Sequence, residues 1–236
     1  MIFDKKLSFV NKTFFSLLLF LCTLTTQAQV EKVPVSVFFV NCYDNELSLY
    51  FDNIEMISKE TGIAESIVSD YGTFKFSAIP GNYVFKYKNI FDQVMETEAI
   101  ISQEMNTQIK LCVDHLTSNN VQTLASKFDH GDKFIIDINS SGCFHNERVT
   151  FKFFFLANEI VGEVWNGEKL KKRKHLGTDI KEIVDFEKKV RLISRQDGGC
   201  TTTDRYTIKL NDQEYKAIDG SCSWNGMDAL YKQLFL

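Results

Sequence analysis

Gly72-Thr73-Phe74-Lys75-Phe76-Ser77-Ala78-Ile79-Pro80-Gly81-Asn82-Tyr83-Val84-Phe85-Lys86-Tyr87 reads as two strands joined by a tight turn. Phe74, Phe76 and Ala78 alternate with Lys75 and Ser77, and Tyr83, Phe85 and Tyr87 recur at the same period of two. A period of two means that each strand buries one face. Pro80 presets φ and a glycine such as Gly81 can supply a left-handed conformation, so the pair is expected to form a turn between strands.

The same rhythm extends outward. Strands are expected at Val33–Asn41, Glu46–Phe51, Gly72–Ala78, Asn82–Tyr87 and Asn106–Val113, with no amphipathic helix between them. Evenly spaced strands without helices point to a sandwich or barrel. The two strands around Pro80-Gly81 resemble the transthyretin-like, carboxypeptidase-regulatory-like β-sandwich modules. That resemblance covers about 80 residues and rests on one motif; it implies a non-catalytic accessory or adhesion-like module.

Residues 115–131 are polar and break the pattern, so they are read as a linker, with a short helix over Val121–Phe128 capped by Ser118 or Asn119. Beyond it, Phe134–Ile138, Arg148–Leu156 and Glu159–Trp165 read as strands. Thr178-Asp179 opens a helix with Asp179 and Glu182 in capping-box spacing, and Ile183, Phe186, Val190 and Ile193 form its apolar face. After the Asp197-Gly198-Gly199 break comes a hairpin turning at Asn211-Asp212, with Gln213–Asp219 as its second strand. A terminal helix after Asn225 carries Met227, Leu230, Tyr231 and Leu234 on one side. The fold class expected is therefore mostly β with an α+β second half: a signal peptide (1–28), a β-sandwich (29–114), the linker (115–131) and an α+β unit (132–236). The layout of the second half is similar to small protease inhibitors of the emfourin type, which implies an inhibitor role by analogy only.

The signal peptide is read from Lys5, Lys6 and Lys12, the apolar run Phe14 to Cys22, and the small-residue ending Thr26-Gln27-Ala28. The run is short for a bilayer span of about 20 residues, and no later run of that length is free of charge. Export to the periplasm or the medium is the expectation. Removing three lysines and Asp4 takes the formal charge from −4 to −6. An acidic mature chain argues against a nucleic-acid partner, which would call for a basic face. The one basic run, Lys169-Leu170-Lys171-Lys172-Arg173-Lys174-His175, is read as a solvated loop.

Five cysteines follow the signal. Cys42 and Cys112 would be joined if the first and last sandwich strands are neighbours. Cys200 and Cys222 flank the hairpin and are favoured over Cys143–Cys200 or Cys143–Cys222, although strict register about Asn211-Asp212 turns them to opposite faces unless a bulge intervenes. That leaves Cys143, in Gly142-Cys143-Phe144-His145, as a free thiol. If it lies on a strand it shares a face with His145, whose imidazolium would favour the thiolate. A structural role for Cys143 is the competing reading. No metal or cofactor is expected: Cys143, His145, Cys200 and Cys222 lack zinc spacing, and the Asp-Gly clusters lack a calcium pattern. Trp224, beside Cys222, is read as core, with a recognition anchor as its alternative. The leading functional expectation is a non-enzymatic protein that binds another extracytoplasmic protein or surface component. The alternatives are a Cys143–His145 hydrolase or thiol-exchange protein, a protease inhibitor, and a structural envelope component.

Overall fold

Short alternating segments bury one face each only if two or more sheets close over them. The computed structural model describes residues 31–43, 47, 53–69, 73–103, 106–117, 121–193 and 201–236, and the expected signal peptide lies outside them. The protein is mostly β. Among the described residues, the first half holds seven strands: β1 (Val33–Val40), β2 (Ile54–Ser58), β3 (Ala64–Ile67), β4 (Phe74–Ala78), β5 (Gly81–Lys88), β6 (Val94–Ile101) and β7 (Thr107–Cys112). They form a three-stranded sheet, β4-β1-β7, and a four-stranded antiparallel sheet, β3-β2-β5-β6. β1 runs antiparallel to β4 and parallel to β7. The inner faces meet where Tyr87 of β5 approaches Phe39 of β1, with ring centroids 5.6 Å apart, and donates its hydroxyl to the Cys112 carbonyl of β7 at 2.8 Å.

β2, β3 and β6 have no counterpart in the sequence reading. β6 faces outward through Glu96 and Glu98, and these pair with Lys86 and Lys59. Its apolar alternation is diluted because its contribution is cross-strand charge. The expected strand Glu46–Phe51 falls mostly outside the described residues, apart from an isolated bridge from Leu47 to Val40.

Among the described residues, the second half is one antiparallel six-stranded sheet with two α-helices. Its strands are β8 (Phe134–Ser141), β9 (Asn146–Leu156), β10 (Glu159–Asn166), β11 (Lys169–His175), β12 (Thr203–Leu210) and β13 (Gln213–Asp219), in the order β11-β10-β9-β8-β12-β13. The helices are α1 (Lys181–Ile193) and α2 (Gly226–Phe235). α1 buries Ile183, Phe186, Val190 and Ile193, the face its spacing predicts, and Asp179 Oδ1 accepts the Lys181 N–H at 2.8 Å. The hairpin turns at the expected residues, pairing Leu210 with Gln213.

Two local expectations are corrected. Residues Lys169–His175 are not a loop but the edge strand β11. Strand pairing uses the backbone, so a polar segment can serve wherever its outer edge needs no partner, and lysines there discourage a second sheet from adding on. Arg173 of β11 bonds the buried Glu163 of β10, which also accepts the Trp165 indole N–H at 2.8 Å. The helix expected over Val121–Phe128 shrinks to a 3₁₀ turn, Ala125–Lys127. The N–H groups of Leu124 and Ala125 go to the Glu187 carboxylate of α1, at 2.8 and 2.7 Å, and Phe128 is already extended. One hydrophobic cluster runs through both halves, with Phe91 of the β5–β6 connection packed edge-on against Trp224 at 5.6 Å.

Candidate functional site

Cys42 and Cys112 are joined, their Cα atoms 5.4 Å apart, because the parallel pairing of β1 and β7 sets Val40 beside Cys112. Cys222 is disulfide-bonded, and Cys200 lies outside the described residues. Cys143 is a free, exposed thiol. It does not share a strand face with His145, since residues 142–145 form the loop between β8 and β9. The His145 ring folds back over Gly142, where a Cβ would stand 2.7 Å from its Cε1, and places Nε2 3.0 Å from Ser140 Oγ. The imidazole thus engages a serine. Trp224 is 5 % exposed, with its ring among Phe91, Phe186 and Tyr206, so it is core rather than an exposed anchor.

His145 and Trp224 nevertheless meet at one cavity, of about 370 Å³, at the end of the six-stranded sheet. The pairings Asp204 with Ser140 and Asp204 with Asp219 set three polar side chains in a row across β8, β12 and β13. They lie on the core side of the sheet, where residues at even spacing from Asp204 are Tyr206, Ile208 and Leu210, and they are 7, 8 and 4 % exposed in the order Ser140, Asp204, Asp219. In-register neighbours sit close, so two carboxylates in this row repel each other wherever both ionise.

Their hydrogen bonding is incomplete. Asp219 Oδ1 accepts the Ser221 N–H at 2.8 Å, whereas Asp204 has only a long contact from the Tyr206 hydroxyl, 3.5 Å from Oδ2. Among the described residues, Asp204 Oδ1 and the Trp224 indole nitrogen are both buried without a partner. An unmet buried polar atom costs on the order of 1–3 kcal/mol, more when charged. Burial raises the Asp219 carboxyl above its ordinary 3.8, and the Asp204 charge adds to that, while the Ser221 bonds oppose it. Burial first, then Asp204 and Asp219, pushes the Tyr206 phenol well above its usual value. Gly226, the first residue of α2, closes the back of the group. A Cβ there would lie 2.6 Å from the Tyr206 hydroxyl and 2.8 Å from the Trp224 ring, so only glycine lets the helix start here.

The Ser140–His145 contact has the reach of a nucleophile and its base. The surroundings oppose acyl transfer, because a developing oxyanion needs N–H donors and Ser140 has Asp204 beside it in register. A second cavity, of about 480 Å³, lies against the Cys42–Cys112 bond and contains Asp114, His115 and Lys189. Burial pushes the Lys189 ammonium down, with Asp114 and Asp185 opposing. Asp114 is occupied by the Cys42 N–H at 2.5 Å. The sulfurs of Cys42 and Cys112 and a ring nitrogen of His115 cluster within 4.8 Å, but the disulfide already uses both sulfurs.

A raised carboxyl pKa means that the folded state holds the Asp219 proton more tightly than the unfolded chain does. The resulting stability is full below the ordinary carboxyl range and is lost as pH rises through the raised value. Asp219→Asn, which keeps the acceptor for Ser221, is therefore expected to melt above the wild type at pH 7. The difference should close as pH falls toward the ordinary carboxyl range in a pH series of thermal melts. A wild-type advantage at pH 7 would contradict it.

No protein-family model, curated protein or solved structure matches the chain.

Proposed function

We propose that this is an exported, non-enzymatic binding protein, working in the periplasm or the medium, and that its ligand enters the acidic cavity between β8, β12, β13 and the start of α2. The observation that carries the reading is that two buried polar atoms, Asp204 Oδ1 and Trp224 Nε1, lack partners among the described residues at one cavity. Strain of this kind concentrates where a structure is prepared for something it does not itself contain. The Cys42–Cys112 bond and the N-terminal export pattern agree with an oxidising compartment. The ligand belongs to a surface component or to another extracytoplasmic protein.

The chain has two tryptophans, Trp165 and Trp224, so a Trp165→Phe protein reports from the cavity alone. Its emission is expected to shift saturably with at least one class in a panel of amines, neutral sugars, carboxylates and phosphates. An unchanged emission across that panel, from protein with a normal melt, would overturn the reading. The 3.0 Å Ser140–His145 contact favours one rival, a serine hydrolase. Covalent labelling of Ser140 by a fluorophosphonate would support that rival against the proposal.

A further inference from the structure

The cavity's chemistry narrows the ligand. Glu147, Asp204 and Asp219 line it beside the single imidazole of His145, and no lysine or arginine does so among the described residues. An anion would meet three carboxylates, and a neutral molecule would leave the repulsion between Asp204 and Asp219 in place. A cation relieves it and supplies donors to the vacant Asp204 oxygen. The Trp224 indole imposes the opposite demand. It is a donor only, so its unpartnered N–H requires an acceptor on the ligand. A bare metal ion or a simple alkylammonium provides no such acceptor. Ser140, whose Oγ also contacts His145 Nε2, and Asn225, whose Oδ1 caps α2 and whose amide NH₂ can still donate, are also on the wall and have hydrogen-bonding capacity left for hydroxyl groups. A volume of about 370 Å³ is at the small end for ligand cavities, which run from about 300 to 1,000 Å³, and suits one sugar ring better than a folded peptide segment.

We propose that the cavity binds a protonated 2-amino sugar, its ammonium held by Asp204 and Asp219 and a neighbouring oxygen accepting the Trp224 N–H. This rests on the reading of the cavity as a binding site. The recognised unit is an ammonium next to a hydroxyl-bearing carbon. A free monosaccharide and the de-N-acetylated end of a glycan both present it.

The test is calorimetric titration of the full mature protein with D-glucosamine, N-acetyl-D-glucosamine, D-glucose and the β-1,4-linked glucosamine disaccharide, with Trp224 emission of the Trp165→Phe protein as a parallel signal. Glucosamine is expected to bind at pH 7 at least about tenfold more tightly than its N-acetyl form or glucose, because acetylation removes the charge that the aspartates face. The disaccharide should bind more tightly than the monosaccharide if the source is a glycan end, and no more tightly if it is the free sugar. Either result is consistent with the shared chemistry. Asp204→Asn, which keeps the shape, is expected to weaken glucosamine by about tenfold or more. The comparison among ligands on the wild type needs no variant, so a misfolded substitution cannot rescue the idea. Equal binding of acetylated and free amine, or no glucosamine signal up to about 10 mM, would overturn it. If glucosamine fails while another class from the wider panel shifts Trp224, only the ligand assignment falls. If nothing binds, the binding reading falls with it.

Discussion

Glu187→Ala is expected to cost about 3–5 kcal/mol of folding stability, the cost of breaking a buried ion pair from one side. Glu187 is 0 % exposed and lies midway along α1. Its carboxylate accepts the N–H groups of Leu124 and Ala125, and the Arg191 guanidinium at 2.8 Å through Nε. It therefore fastens the segment between the two halves to a helix of the second. Alanine would leave one buried and one part-buried backbone donor without their acceptor and would remove the buried charge that holds Arg191. Glu187→Gln keeps one carbonyl acceptor and should recover part of the loss. Urea unfolding of the three proteins measures it. A Glu187→Ala cost below about 1 kcal/mol would mean that the segment is held by packing alone.

Removing the Cys42–Cys112 bond should be of similar size. The cysteines are 70 residues apart, and closing a loop of that length restricts the unfolded chain by about 4 kcal/mol in the chain-entropy account. The bond also holds the end of β1 to the end of β7, where the Cys42 N–H meets Asp114 and the Cys112 carbonyl meets Tyr87. Cys42→Ala with Cys112→Ala, which avoids a stray thiol, is expected to lower the urea midpoint without changing the far-UV circular dichroism in water. A double variant as stable as the wild type would show that the parallel β1–β7 pairing needs no covalent tie.

Both effects depend on contacts between residues distant in the chain, and the site does too, although one part of it was within reach of a sequence reading. Once the hairpin is taken to turn at Asn211-Asp212 with Leu210 against Gln213, Asp204 must pair with Asp219, and both must share the side of Tyr206 and Ile208. Two acids facing each other on the apolar side of a strand pair are a signal that pairing arithmetic exposes. Strand alternation would set Cys143 and His145 on one face, but residues 142–145 form a loop, and His145 turns to Ser140 because Gly142 leaves room for the ring.

By itself the sequence determined what depends on near neighbours: the alternation of β1, β4, β5, β8 and β9, the apolar face of α1, and the hairpin with its register. These follow from side-chain period and turn chemistry, which act over a few residues. Tertiary structure decided which polar segments became strands, as in β6 and β11, and how far the turn at Ala125 extends once Glu187 claims its N–H groups. It also decided that Ser140 would complete a row with the two aspartates, and that Trp224 would lie between Phe91 of the first half and the sheet of the second. Backbone pairing and burial are indifferent to separation along the chain, so no local pattern encodes them.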